Sequence, residues 1–150
     1  MTTVFPEARV KRYIEMRGAD CGDVAHLAAL PAFWVGLMYD QGALDAAWDL
    51  VKGLDAETRE GLRVAASVSA LQGEAGGVKL LELSRDAVAL AQAGLRARAR
   101  AGNGQADEAG YLDVLVESLE AGAVQADRLL ALYLGAWGGR LDPVYEAVSY

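Results

Sequence analysis

Glu15 and Arg17 stand two residues apart near the N-terminus, in the stretch RYIEMRGAD at residues 12–20. If the backbone is extended there, successive side chains alternate in direction, so these two project from the same face roughly 7 Å apart. A carboxylate oxygen is a suitable ligand for a hard cation, and a guanidinium can bind a carboxylate or phosphate through two parallel hydrogen bonds. The pair could hold one ligand between them, although the same spacing also fits an ordinary solvent-facing strand.

The residues around this pair separate by alternation. One side carries Lys11, Tyr13, Glu15 and Arg17. The other side carries Val10, Arg12, Ile14 and Met16. A helix over residues 7–16 is the alternative, but it would scatter the apolar side chains over different faces, so we predict one N-terminal strand. An unpaired strand leaves backbone N–H and C=O groups without partners. It would pair with a second copy or a separate chain, or it would be remodelled.

Beyond residue 23, apolar residues recur at helical spacing, which predicts a mainly α, helical bundle-like domain. The stripes indicate helices over residues 43–51, 56–64 with Asp55 as the N-cap, 78–101, 112–119 and 129–133, and a last turn that begins at Pro143. Three glycines among residues 72–77 predict a linker where the chain turns or flexes. We predict a single domain over residues 1–150, with a strand and site loop at 1–23 and helical segments at 24–71 and 78–150.

The composition excludes several classes of partner. The chain of 150 residues is 53% hydrophobic, enough for a packed core, and its formal net charge of −7 disfavours nucleic acid and anionic membrane surfaces. The longest apolar run, residues 27–38, is too short to span a bilayer. One cysteine, Cys21, and no recognisable secretory signal predict a cytoplasmic protein. We expect structural roles for Cys21 and for His26, the single histidine.

Three motifs carry a resemblance to a known family. RYIEMRGAD resembles the Glu-x-Arg strand of the glutamine synthetase superfamily. The longer run FPEARVKRYIEMRGAD, followed by LAALPAFWVGLMYD and later by GAWGGRLDPVYEAVSY, resembles the C-terminal portion of glutamate-cysteine ligases of the plant and proteobacterial type. The resemblance implies a fragment of a glutamine synthetase-like α+β fold. Val24 stands where that family usually has a tryptophan of the cysteine pocket.

The resemblance also implies an activity, namely ATP-dependent formation of γ-glutamylcysteine from glutamate and cysteine in glutathione biosynthesis. Glu15 would bind magnesium, while Arg17 and Tyr13 would bind substrate. Magnesium and ATP are needed in the family, but we expect neither to bind tightly to this chain alone, which should be inactive without a separate N-terminal half. The alternative is a non-catalytic helical module derived from that ligase, acting through self-association or dimerisation.

Overall fold

The computed structural model describes residues 7–20, 22–102 and 106–148, so Cys21, with its expected structural role, lies outside the described residues. Over these residues the chain is mainly helical, with two small antiparallel sheets of two strands each. The strands are β1 (Ala8–Val10), β2 (Ile14–Met16), β3 (Glu74–Ala75) and β4 (Val78–Lys79). The helices are α1 (Val24–Met38), α2 (Gln41–Val51), α3 (Ala56–Ser69), α4 (Leu80–Ala101), α5 (Asp113–Ala121), α6 (Gln125–Leu134) and α7 (Asp142–Ala147).

The core lies where α1 packs against α4. The buried residues of α1 are Ala29, Ala32, Gly36 and Leu37, and those of α4 are Val88, Ala91, Gly94 and Leu95. Both sets repeat at the three- and four-residue spacing that keeps side chains on one helix face. Small residues dominate the crossing: a Cβ atom on Gly36 would meet the backbone of Ala91, and one on Gly94 would meet the carbonyl oxygen of Gly36. The glycines therefore set how closely the two helices approach.

The short turn Ala109–Leu112 and α5 close the other side of this core. Leu112 is fully buried and Leu119 nearly so, and both belong to the same hydrophobic cluster as the α1 and α4 residues. A guanidinium N–H of Arg85, on α4, donates to the Leu119 carbonyl oxygen at 3.0 Å, which ties α4 to the end of α5. The predicted helix over residues 78–101 corresponds closely to α4.

Three helices begin at aspartates that cap exposed backbone N–H groups. The N-cap carboxylates accept from backbone N–H groups as follows: Asp23 from His26 at 3.1 Å, Asp40 from Ala43 at 2.9 Å and Asp55 from Thr58 at 2.7 Å. Each satisfies a donor that the helix itself cannot. Asp55 caps α3 as the sequence indicates, and this helix runs to Ser69, beyond the expected end at residue 64.

Residues 72–77, expected as a linker, contain most of a β-hairpin instead. Glu74 pairs with Lys79 and Ala75 with Val78. Gly76 and Gly77 form the turn with φ angles of +57° and +76°, the positive values that a tight two-residue hairpin turn requires. The glycine pair therefore makes a defined reversal rather than a flexible connection.

Candidate functional site

The N-terminal segment is a hairpin, so the expectation of one unpaired strand is wrong. β1 pairs antiparallel with β2, with Ala8 opposite Met16, Arg9 opposite Glu15 and Val10 opposite Ile14. The backbone N–H of Arg17 donates to the Glu7 carbonyl oxygen at 2.8 Å and extends the ladder by one pair. Residues 8–10 thus supply backbone partners along one edge of β2.

The two-stranded pairing gives the hairpin two unlike faces. Ala8, Val10, Ile14 and Met16 share one face. On that face Val10 and Ile14 expose 82% and 58% of their surface, so the apolar side of the hairpin is open in this chain. Arg9, Glu15 and Arg17 share the other face, which is charged.

Glu15 lies at the centre of a group of ion pairs, which we call the Glu15 cluster (Arg9, Lys11, Glu15 and Arg17). Arg9 Nε donates to Glu15 Oε2 at 2.7 Å, and Arg9 Nη2 lies 2.6 Å from the same oxygen as an ion pair. Lys11 Nζ lies 3.8 Å from the same oxygen, and Arg17 Nε lies 3.9 Å from Oε1. The structure therefore brings Glu15 and Arg17 together, as their spacing predicts, with Lys11 from the same predicted side, and adds Arg9, which the sequence interpretation did not assign.

Tyr13 lies in the turn of the hairpin rather than on a strand. The backbone N–H of Lys11 donates to the Tyr13 carbonyl oxygen at 2.8 Å and closes this turn. The tyrosine is 61% exposed, and Lys11 Nζ lies 5.9 Å from its ring centroid. Lys11 is thus the side chain that links Tyr13 to the Glu15 cluster.

The electrostatics of the cluster favour an ionised carboxylate. The hydrogen bond from Arg9 is the largest cause that lowers the pKa of Glu15, and the positive charges of Arg9, Lys11 and Arg17 lower it further. Three cations surround one carboxylate, so the cluster keeps a positive excess although the whole chain is acidic. Such a surface is suited to binding an anion.

Arg9 is not predicted by alternation along residues 10–17, because it meets Glu15 from the opposite strand. The signal was present: Ala8 and Val10 alternate in the same way as Ile14 and Met16, with three polar or aromatic residues between them. Two short alternating runs with a short separator are typical of a hairpin. Pairing them places residue 9 opposite residue 15.

The start of α1 follows the cluster in the chain. His26 Nδ1 lies 2.8 Å from the Asp23 carboxylate, and the hydrogen bond with this side chain is the largest cause that lowers the pKa of Asp23. His26 thus has the structural role expected of it, as a partner of the helix cap. Val24, in the first turn of α1, is 65% exposed.

A separate groove of about 640 Å³ lies between α3 and β3. Val64 and Val68 are among its lining residues, and the acidic side chains lining it are Glu57, Glu60 and Glu74. Its negative charge opposes anionic ligands. The Glu15 cluster is therefore the better candidate site for a carboxylate or phosphate.

Within residues 7–20, 22–102 and 106–148, no three His, Cys, Asp or Glu side chains are grouped so that they could hold a metal ion. None of the described helices has the length and apolar character that a membrane span requires.

Comparison with known proteins identifies relatives of the whole chain. The family model described as glutamate-cysteine ligase family 2 (GCS2) matches residues 1–147. The chain is 41% identical to the glutamate–cysteine ligase, chloroplastic, of Solanum lycopersicum over 150 residues, all of this chain and 28% of the relative. The Arabidopsis thaliana protein of the same name is 42% identical over the same shares. Glutamate–cysteine ligase A, chloroplastic, of Oryza sativa subsp. indica is 38% identical over all of this chain and 29% of the relative.

These comparisons have two consequences. The chain spans less than a third of the length of the curated relatives it matches. The expected cytoplasmic location is wrong by this comparison, because the tomato, tobacco and Arabidopsis relatives are named as chloroplastic.

Proposed function

The chain belongs to glutamate-cysteine ligase family 2, and from this premise we propose that it is the C-terminal part of a ligase that forms γ-glutamylcysteine with ATP. In such a reaction the side-chain carboxylate of glutamate accepts the terminal phosphoryl group of ATP. The amine of cysteine then attacks the acyl phosphate and displaces phosphate. Catalysis of this kind depends mainly on positioning and on neutralising the charge of the phosphoryl group.

The Glu15 cluster is the observation that carries the proposal. Its charged side chains lie on one face of the hairpin, and Arg17 is the least exposed of them, with 18% of its side-chain surface accessible. In our proposal Arg17 binds the glutamate carboxylate or the acyl phosphate, since a half-buried guanidinium binds carboxylates and phosphates strongly. Tyr13 lines the edge of the same substrate site.

A magnesium ion would fit this site only if Glu15 supplied one of its ligands and other parts of the ligase supplied the rest. Arg9 holds Glu15 through Oε2, whereas Arg17 Nε is 3.9 Å from Oε1, too far for a hydrogen bond, so Oε1 can serve as one carboxylate ligand. The remaining ligands would come from parts of the ligase outside these 150 residues. When bound, magnesium neutralises charge on the phosphoryl group. The residues of this chain orient Glu15 and hold the anionic substrate.

Because the remaining magnesium ligands would come from outside these 150 residues, we propose that the chain alone is inactive. It would depend on the remainder of a ligase, in the same or another chain. The glutamine synthetase-like α+β arrangement would exist only in that complete assembly. The exposed apolar face of the β1–β2 hairpin, with Val10 at 82%, fits such an arrangement, because a two-stranded hairpin is marginal in isolation.

A chimera tests the proposal directly. The 150 residues replace the matching segment of the Arabidopsis thaliana relative, and ADP release is measured with glutamate and cysteine present or omitted. We expect turnover that needs both substrates, and a loss of roughly 100-fold or more in the Glu15→Gln and Arg17→Gln forms. Arg63→Gln, which removes a guanidinium from an exposed pair on α3, serves as the control and should keep its activity. A folded chimera whose turnover ignores Glu15→Gln would contradict the proposal.

A specific observation favours the second candidate, a non-catalytic interaction module. Leu44, Trp48 and Val51 follow one another at four- and three-residue spacing on α2 and are 39%, 63% and 37% exposed. An exposed tryptophan within an apolar stripe is typical of protein contact surfaces. Light scattering should then show a dimer that Trp48→Lys converts to a monomer, while Val68→Lys on α3 leaves it intact. A monomeric wild-type chain at high micromolar concentration would exclude self-association as its role.

A further inference from the structure

The groove between α3 and β3 has an apolar lining that is open in this chain. Val64 and Val68 are among its lining residues and are 47% and 79% exposed. Gly61 lets β3 approach α3, because a Cβ atom there would meet that of Ala75. The groove follows α3 from residue 57 to residue 68, a rise of roughly 16 Å. Such an elongated, exposed apolar surface is suited to a segment of polypeptide, whereas a small ligand needs a more enclosed cavity.

Two carboxylates at this groove, Glu57 and Glu74, have no cation partner within residues 7–20, 22–102 and 106–148. Lys79 stands opposite Glu74 in the β3–β4 ladder, but its ammonium pairs with a glutamate of α4 at 3.4 Å. The third carboxylate of the groove, Glu60, is held by Arg63. The groove therefore combines open apolar surface with unneutralised negative charge, which complements a segment that bears both apolar and basic side chains.

The length of the relatives indicates what covers this groove. The chain covers 28% of the tomato and Arabidopsis relatives, so most of such a ligase lies outside it and packs against surfaces that it leaves open. A second copy is a less favourable occupant, because each copy has a formal net charge of −7.

We propose that the α3–β3 groove is a docking surface for the remainder of the ligase. The remainder contributes an amphipathic segment whose apolar side chains cover Val64 and Val68 and whose lysines or arginines pair with Glu57 and Glu74. This inference rests on the proposed function, since it requires the chain to be part of a longer ligase. It goes beyond that function by assigning one face of the chain, and one kind of chemistry, to the contact.

Chemical labelling of carboxylates measures whether the groove is covered. A water-soluble carbodiimide with glycine ethyl ester converts accessible Glu and Asp side chains to amides, and mass spectrometry gives the rate at each position. In the folded chimera with the Arabidopsis remainder, Glu57 and Glu74 should react at least about fivefold more slowly than in the 150-residue chain. Glu82, which pairs with Lys79 and does not line the groove, is the control and should change by less than about twofold. Unchanged rates at Glu57 and Glu74, or equal slowing at Glu82, would overturn the proposal.

A substitution in the groove separates the contact from the folding of the chain. Val68→Ser should leave the unfolding temperature of the 150-residue chain within about 1 °C of wild type, because the side chain is 79% exposed. The same change should lower the unfolding temperature of the chimera by about 3 °C or more. Glu82→Gln is the control and should affect the two proteins equally. Equal effects of Val68→Ser on chain and chimera would show that nothing covers the groove and would overturn the proposal.

Two other occupants of the groove have distinct labelling patterns. A second copy would slow the labelling of Glu57 and Glu74 in the 150-residue chain only as its concentration rises. The β1–β2 hairpin of the same chain would slow it at every concentration. Either result would overturn the proposal, because the groove would be covered without the remainder of the ligase.

A peptide titration tests the contact if the chimera does not fold. Overlapping peptides that span the Arabidopsis relative outside the matching segment are titrated against the 150-residue chain. A peptide that carries basic and apolar side chains should bind, and Val68→Ser should raise its dissociation constant about fivefold or more. Absence of binding by every peptide, or binding that Val68→Ser leaves unchanged, would overturn the proposal.

The docking surface and the ligase function fail separately. A folded chimera that shows no glutamate- and cysteine-dependent turnover, but in which Glu57 and Glu74 label slowly, contradicts the ligase function and leaves the docking surface standing. An active chimera in which both residues label as fast as in the 150-residue chain contradicts the docking surface and leaves the ligase function standing.

Discussion

Arg9 lies directly opposite Glu15 in the β1–β2 ladder, where its Nε donates a hydrogen bond to one oxygen of the carboxylate at 2.7 Å and its Nη2 lies 2.6 Å from the same oxygen. The backbone register therefore fixes which guanidinium meets the glutamate, while Arg17 reaches the other oxygen from two residues along the same strand. Anchoring one oxygen leaves the second free to interact with a ligand. This arrangement is compatible with both the metal-ligand role proposed for Glu15 and the anion-binding role proposed for Arg17.

The first prediction concerns the titration of Glu15. Its pKa is lowered chiefly by the Arg9 hydrogen bond, so Arg9→Gln should raise it toward the ordinary glutamate value of about 4.5. Because the folded-state pKa is depressed, the ion pair stabilises the hairpin above about pH 4.5, and this contribution disappears as the pH falls through the folded-state value. Carboxyl ¹³C NMR measures the midpoint.

Glu60 provides an internal control for that titration. Its pKa is lowered by the hydrogen bond from Arg63, so Arg63→Gln should move Glu60 and leave Glu15 unchanged, and Arg9→Gln should do the reverse. An unchanged Glu15 midpoint in Arg9→Gln would show that the cross-strand pair does not form in solution.

The sequence was sufficient for the pair at the centre of the site but not for its surroundings. Alternation placed Glu15 and Arg17 on one face, and the structure has them there. It could not place Tyr13 correctly, because residues 11–13 turn and the alternation stops. Arg9 enters the cluster through cross-strand pairing, which depends on register and not on spacing along one strand, whereas Lys11 reaches Glu15 from the turn.

The helices could be predicted and the β3–β4 hairpin could not, because the two differ in how many residues carry the periodic pattern. Long amphipathic stripes such as that of α4 carry many apolar residues at one period, so their pattern outweighs local exceptions. The strands β3 and β4 have two residues each, too few for any alternation. The remaining signal was the pair Gly76–Gly77, which fits a flexible linker and a tight turn equally well without coordinates.

The second prediction concerns the cap of α1. Asp23 accepts the backbone N–H of His26 and also its ring nitrogen, so Asp23→Ala should destabilise the chain, by about 0.5–1 kcal/mol because the side chain is 45% exposed. The pKa of Asp23 is lowered, chiefly by the hydrogen bond with the His26 side chain, so the stabilisation is fully present above the ordinary aspartate value of 3.8 and is lost as the pH falls from there through the lower folded-state value. Urea denaturation at pH 7 and pH 3 measures both effects.

Asp49→Ala is the control for the cap, since Asp49 only pairs with Lys52 on the exposed side of α2. It should change the free energy of unfolding by less than about 0.5 kcal/mol. A difference between Asp23→Ala and wild type that persists undiminished at pH 3 would mean that the charged cap is not the cause.

The third prediction concerns the turn between β3 and β4. Gly77 has a φ of +76° and open space where a Cβ atom would lie, so Gly77→Ala introduces backbone strain without a clash. The left-handed region costs a residue with a Cβ atom roughly 1–2 kcal/mol. Thermal unfolding should show this loss, whereas Gly77→Asn should lose less, because asparagine tolerates positive φ. Equal stability of Gly77→Ala and wild type would mean that the turn has another geometry in solution.

The last prediction concerns the crossing of α1 and α4. Because a Cβ atom at Gly94 would meet the backbone carbonyl oxygen of Gly36, and one at Gly36 would meet the backbone of Ala91, neither position can accept alanine unless the helices move apart. Overpacking of this kind costs about 1–3 kcal/mol, more than alanine gains through its helix propensity. Gly36→Ala and Gly94→Ala should therefore lower the urea midpoint.

Gly53→Ala is the matched change outside the core, because nothing lies within 4 Å of the added Cβ atom and the backbone there needs no positive φ. It should leave the urea midpoint unchanged or raise it slightly, since alanine restricts the unfolded chain more than glycine does. The double variant Gly36→Ala with Gly94→Ala should lose less than the sum of the single losses, because one separation of the helices relieves both contacts. Strictly additive losses would show that the two glycines do not share one crossing.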